Sequence, residues 1–121
     1  MAKLILTVDD SPSMRQSIKL TLAVRGYRVI EAGDGLDGLE KAKAETVDLV
    51  ITDLNMPRMG GLEFIDALRK LPEYKGVPIV FVTTETDETL RARAREAGAT
   101  GWITKPFAPE VLLKITRRLL E

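Results

Sequence analysis

Five short apolar runs alternate strictly with five helical periodicities along this chain, and that alternation constrains the fold more than any other feature. The runs are LILTV (4–8), YRVIEA (27–32), VDLVIT (47–52), VPIVFVT (77–83) and GWIT (101–104). Most are nearly continuous in apolar residues, the pattern of parallel strands covered on both faces. Between them apolar residues recur at helical spacing: Met14, Ile18 and Leu22, then Leu36 and Leu39, then Leu62, Ile65 and Leu68, then Ala94 and Ala97, and finally Val111, Ile115 and Leu119. Helix ends are also marked. Ser11 before Pro12 reads as an N-cap with proline at the first helical position. Gly26 and Gly98 read as closing residues. Thr86, Asp87 and Glu88 start the fourth helix with acids at its positive end.

Strict alternation implies an open parallel sheet with helices on both faces, a three-layer α/β sandwich of (βα)5 type. A closed barrel needs about 250 residues, so 121 residues favour the flavodoxin-like strand order 2-1-3-4-5. No linker, repeat or low-complexity segment interrupts the pattern, so one domain over 1–121 with no second domain is expected. Ligands of such sheets bind at the carboxyl ends of the strands, near the switch point between strands 1 and 3.

Composition narrows the chemistry. Lysine plus arginine equals aspartate plus glutamate, 18 against 18, which offers no general attraction to nucleic acid or membranes. Cysteine and histidine are absent. Disulfides, thiol catalysis, histidine bases and histidine- or cysteine-bound zinc are therefore excluded. No apolar run approaches the roughly 18 residues of a membrane span, and the start is too short for a signal-peptide core. A cytoplasmic location is expected.

Polar residues fall at the strand ends. Strand 1 ends in Asp9-Asp10, strand 3 in Asp53, strand 4 in Thr83-Thr84 and strand 5 in Lys105-Pro106. Singly, each has a plain structural role: a helix cap, a turn former, a solvated lysine. Together they crowd three acids and one ammonium into one crevice. Two like charges about 4 Å apart repel by roughly 4 kcal/mol at an effective dielectric near 20. Such acids take up protons, separate or hold a cation. A hard ion such as Mg²⁺ suits an all-oxygen site open to water. An ion, Lys105 and the Thr83 hydroxyl would together neutralise a transferring phosphoryl group. Asp53, from the central strand, is the best-placed carboxylate nucleophile.

The ordered set VDDS, ITDLNMPRMGG, FVTT and ITKPF, one piece per strand end, resembles the response-regulator receiver domain over the whole chain, with DDSPSMR leaning towards the single-domain chemotaxis type. The resemblance implies that Asp53 is the phosphoacceptor. It implies Mg²⁺ held by Asp10 and Asp53 side chains and the Asn55 backbone carbonyl, with Asp9 acting near the metal. Lys105 would pair with the phosphoryl group, Thr83 would move to bond it, and Lys105–Pro106 would be a cis peptide. Trp102 occupies the place of a switch aromatic, with static packing as the competing role. Asn55, Thr84 and Glu85 occupy positions that tune phosphoryl hydrolysis, although Glu85 fits a solvated loop acid equally well. Arg91, Arg93 and Arg95 stud helix 4, either as a solvated face or as part of a docking surface made by helix 4, strand 5 and helix 5.

The implied partners are a histidine kinase of the CheA type, an effector such as a flagellar motor switch protein, and a phosphatase; a monomer is expected. The domain would catalyse only its own phosphorylation and dephosphorylation. A phosphate sink and a phosphorelay intermediate are alternatives within this class. A Mg²⁺-dependent phosphatase is disfavoured because the general-acid position two residues after Asp53 is Asn55. A flavodoxin-type electron carrier is disfavoured because Asp9 and Asp10 stand where a flavin phosphate would be cradled.

Overall fold

The computed structural model describes residues 2–121. Five strands, β1 (Leu4–Val8), β2 (Arg28–Ala32), β3 (Leu49–Thr52), β4 (Ile79–Thr83) and β5 (Gly101–Thr104), alternate with helices α1 (Pro12–Ala23), α2 (Gly35–Ala44), α3 (Gly61–Arg69), α4 (Glu88–Ala97) and α5 (Pro109–Leu120). A 3₁₀ turn, Pro72–Tyr74, precedes β4. The strands form one sheet in the order β2-β1-β3-β4-β5, and every neighbouring pair is parallel. The expected (βα)5 sandwich of order 2-1-3-4-5 is therefore the observed fold.

Period-two alternation sends strand side chains into two apolar layers. Leu4, Leu6, Val8, Val50, Ile79 and Phe81 pack with Phe64, Ile65, Leu68 and Ala94 of α3 and α4. Ile5, Leu49, Ile51, Val80, Val82 and Ile103 pack on the other face with Ile18 and Leu22 of α1 and Leu112 of α5. Central strands have no solvent face, which is why their sequences read as apolar runs rather than as alternation.

Two strands match the expected bounds, LILTV and GWIT, and the other three start later. Tyr27 lies before β2, and Val77 and Pro78 lie before β4. Pro78 has no N–H to give; its carbonyl accepts from Val50 N–H at 3.0 Å, and the ladder starts at the next residue. Val47 donates to the Tyr74 hydroxyl rather than to a strand.

Helix ends follow side-chain chemistry. Ser11 Oγ accepts from Met14 N–H at 3.2 Å, with Pro12 at the first helical position. In α4 the cap is Asp87, whose Oδ1 accepts from Thr89 N–H at 2.7 Å, so the helix starts later than Thr86. Gly98 closes it in the left-handed region at φ 110°. In α5 the apolar face turns by one residue: Leu112 and Thr116 are buried while Val111 is 47% exposed. Leu36, also expected inside, is 40% exposed, because α2 buries other residues instead: Gly35 against Met59, and Gly38 against Phe64 and Val8.

The β3–α3 loop is the least ordinary segment. It closes on itself through Gly61 N–H to Leu54 O at 2.8 Å. Arg58 has φ 64°, and Met59 N–H donates to Pro57 O at 2.7 Å across it, a γ-turn of the rare positive-φ form. Gly35 N–H donates to Met59 O at 3.1 Å, joining this loop to the start of α2. A Cβ at Gly61 would collide with Asp53 O and lie 2.7 Å from the Phe81 ring. We therefore expect Gly61→Ala to lose about 1–3 kcal/mol of stability in urea denaturation, as overpacking does where backbone cannot yield. A wild-type midpoint would mean that the loop gives way freely.

Candidate functional site

Because all five strands are parallel, their carboxyl ends lie at one edge of the sheet, and the polar residues of the sequence meet there. Asp9 follows β1 and is 2% exposed. Its N–H donates to Ala32 O at 3.1 Å, its Oδ1 accepts from Ser11 N–H at 2.9 Å, and its Oδ2 accepts from Lys105 Nζ at 2.8 Å. Asp53 follows β3. Its N–H donates to Val8 O at 2.9 Å, and its Oδ1 accepts from Leu54 N–H at 2.7 Å. Its Oδ2 accepts from Lys105 Nζ at 3.2 Å. One ammonium thus bridges two carboxylates drawn from strands on either side of the switch point.

Lys105 is brought there by β5. Its N–H donates to Thr83 O at 2.8 Å, and the peptide to Pro106 is cis. Burial would lower the ammonium pKa, but the Asp9 hydrogen bond and the charges of Asp53 and Asp9 outweigh it, and the value is raised. Lys105 therefore stays charged at neutral pH. Asp10 is exposed and has no ion pair among the described residues. One oxygen from each of Asp9, Asp10 and Asp53 falls within 4.8 Å of the others. Three acids against one ammonium leave two negative charges (three minus one) on a small, partly open, all-oxygen pocket. That donor set fits Mg²⁺, which takes one or two carboxylates and completes its shell with water; Asp10 and Asp53 would be the side chains to hold it.

The remaining candidates spread outward. Thr83 is fully buried, and its Oγ accepts from Glu85 N–H at 3.3 Å. Thr84 and Asn55 are exposed, and Glu85 is half-buried, at the rim. Trp102 stands opposite Phe81 in the β4–β5 register, with ring centroids 5.9 Å apart. The Arg91 guanidinium lies 5.8 Å from its ring centroid. Its Nε1 is buried without a hydrogen-bond partner.

Arg15 is a site neighbour that sequence reasoning missed. Its Nη1 donates to the Asp9 carbonyl at 2.6 Å, and its Nε donates to Glu31 Oε1 at 3.1 Å. A basic residue one turn into the helix that follows an acidic pair was the available signal, but its partner is a backbone carbonyl, which no side-chain pattern reveals.

Known proteins share its sequence pattern and its fold. The sequence profile described as Response regulator receiver domain matches residues 5–117. The chain belongs to the response regulator receiver family. The receiver domain is 43% identical over 111 residues to the Chemotaxis protein CheY1 of Helicobacter pylori, covering 89% of each chain. It is 38% identical over 110 residues to Hybrid signal transduction histidine kinase D of Dictyostelium discoideum, of whose length it spans 7%. The structure of the Vibrio cholerae chemotaxis protein CheY4 superposes with a TM-score of 0.95 at 45% identity, covering 99% of this chain and 100% of that one. Receiver domains are signalling phosphoacceptors of two-component systems rather than conventional enzymes, and they generally bind Mg²⁺ at an acidic pocket.

The receiver domain's pocket therefore holds like charge that its own lysine does not balance. Removing the unpaired acid should relieve it. We expect Asp10→Asn to stabilise the metal-free protein by about 1 kcal/mol at low salt. Ionic strength screens the repulsion, so the gain should shrink as salt is added. Equal or lower stability for the variant in metal-free thermal denaturation would refute the crowding argument.

Proposed function

We propose that this domain accepts a phosphoryl group on Asp53 from a phosphohistidine of a partner histidine kinase, with Mg²⁺, and thereby switches its binding to an effector. The observation that carries this reading is Lys105 Nζ bridging Asp9 and Asp53 at 2.8 and 3.2 Å beside the three-acid cluster. The chain has no histidine, so the phosphoryl donor lies outside residues 1–121.

The geometry supports the following reaction. An Asp53 carboxylate oxygen attacks phosphorus, a P–O bond forms, and the P–N bond to the donor imidazole breaks. Lys105, which already touches Asp53, follows the new charge onto a phosphoryl oxygen. Asp9 keeps that ammonium from turning to solvent. Bound Mg²⁺ would supply a second positive charge to the phosphoryl oxygens. Leu54 N–H fixes the plane of the Asp53 carboxylate through Oδ1. Thr83, buried at the next strand end, moves its hydroxyl to the phosphoryl group and leaves the Glu85 N–H. That movement vacates space towards Trp102, whose unpartnered Nε1 gives the indole little to lose by shifting. Asn55, Thr84 and Glu85 at the rim set how easily water reaches the phosphoryl group. Phosphorylation then shifts a pre-existing equilibrium of the α4–β5–α5 surface, where Arg91 covers the indole.

The protein with Mg²⁺ and a small phosphodonor should gain one phosphoryl mass, and Asp53→Ala none. The same sample should change its tryptophan fluorescence, since Trp102 is the sole tryptophan. Equal mass gain in both proteins would mean that the nucleophile is another residue.

A chemotaxis role is the reading we favour for the effector, because a chemotaxis relative is matched over 89% of its own length. On this reading the domain acts as a cytoplasmic monomer whose output is a flagellar motor switch protein. Among the described residues no helix is long and apolar enough to cross a membrane. Capture of the motor protein by phosphorylated but not unphosphorylated protein is expected. No capture, with phosphorylation intact, would favour a phosphate sink or relay intermediate.

A further inference from the structure

Arg58 has a backbone that an arginine does not choose. Its φ of 64° lies where glycine is at ease and other residues are not. Its side chain is 61% exposed, so burial does not hold it there. What holds it is Asp34: Arg58 Nε donates to Asp34 Oδ2 at 2.6 Å. Asp34 is itself fixed, 6% exposed, with Oδ1 accepting from Asp37 N–H at 2.9 Å as the cap of α2. A rigid, nearly buried carboxylate on one loop thus grips an exposed guanidinium on another, 24 residues along the chain.

The gripped loop is the one that follows Asp53. Its ends are tied by backbone bonds, Gly61 N–H to Leu54 O and Gly35 N–H to Met59 O. Between those ties lies the γ-turn at Arg58, three residues beyond Asn55. A side chain that holds an unfavourable turn in place is evidence that the turn does something. We propose that the Asp34–Arg58 pair is a positioning latch for the ion pocket: it fixes the 54–60 loop so that the Asn55 carbonyl is presented beside Asp10 and Asp53. This rests on the proposed Mg²⁺ site and adds two residues outside it. Neither Asp34 nor Arg58 touches the ion or the phosphoryl group.

The separating experiment uses variants that break the latch without straining the backbone. Arg58→Gly removes the guanidinium and makes φ 64° comfortable, and that relief offsets the lost ion pair and glycine's entropy, so its melting temperature should stay close to that of wild type. Asp34→Asn keeps the capping oxygen and removes the charge. By calorimetric titration both should bind Mg²⁺ about ten-fold more weakly than wild type, the scale on which outer partners of metal ligands act. Arg58→Lys should recover part of the loss. A merely structural role predicts lower melting temperatures with unchanged Mg²⁺ affinity. Affinities within about two-fold of wild type in both latch-breaking variants would overturn the latch and leave the site standing. Failure of wild type itself to bind Mg²⁺ would overturn the site, and the latch with it.

Discussion

One ammonium between two carboxylates organises the working edge of this domain. Lys105 reaches Asp9 and Asp53 only because β5, β1 and β3 end at the same level, and they do so because the sheet is parallel throughout. The pair contacts are short, but the local charge still does not close: a third acid stands within 4.8 Å of both. Natural cores avoid such surpluses. The rest of the molecule, two apolar layers with no solvent face on the central strands, supplies the stability against which that electrostatic strain is held.

The architecture was legible in the sequence because parallel strands buried on both faces leave an unmistakable record. LILTV and GWIT match residue for residue, and the acids, hydroxyls and lysine fell at strand ends as read. What stayed illegible depended on tertiary partners. Nothing local says that Val47 turns to the Tyr74 hydroxyl, or that α5 rotates so that Leu112 goes inside and Val111 does not. Leu36 looked like a core residue, but α2 turns Gly38 towards Phe64 and Val8 and Gly35 towards Met59. Arg15 and Arg58 escaped for a related reason. One binds a carbonyl and the other a carboxylate 24 positions away, partners that no local pattern reveals.

Trp102 shows how a site and a surface can share one group. It lies across from Phe81 on the strand next to the Thr83 terminus, yet its ring forms the floor under Arg91. Its indole N–H is buried without an acceptor, an arrangement folded proteins seldom keep. A donor left wanting at the boundary between crevice and helix 4 lowers the cost of leaving its present position. On the function proposed above, the aromatic would be the relay between chemistry at the strand ends and docking on α4.

Each group in the crevice rides on a different segment: Asp9 after β1, Asp53 after β3, Thr83 closing β4 and Lys105 after β5. During synthesis the acids therefore emerge well before the lysine that restrains them. A chain halted short of β5 would display bare carboxylates with nothing to bridge them. The bridge across the crevice thus arrives last, with the final strand, and is the molecule's own certificate that its sheet is complete.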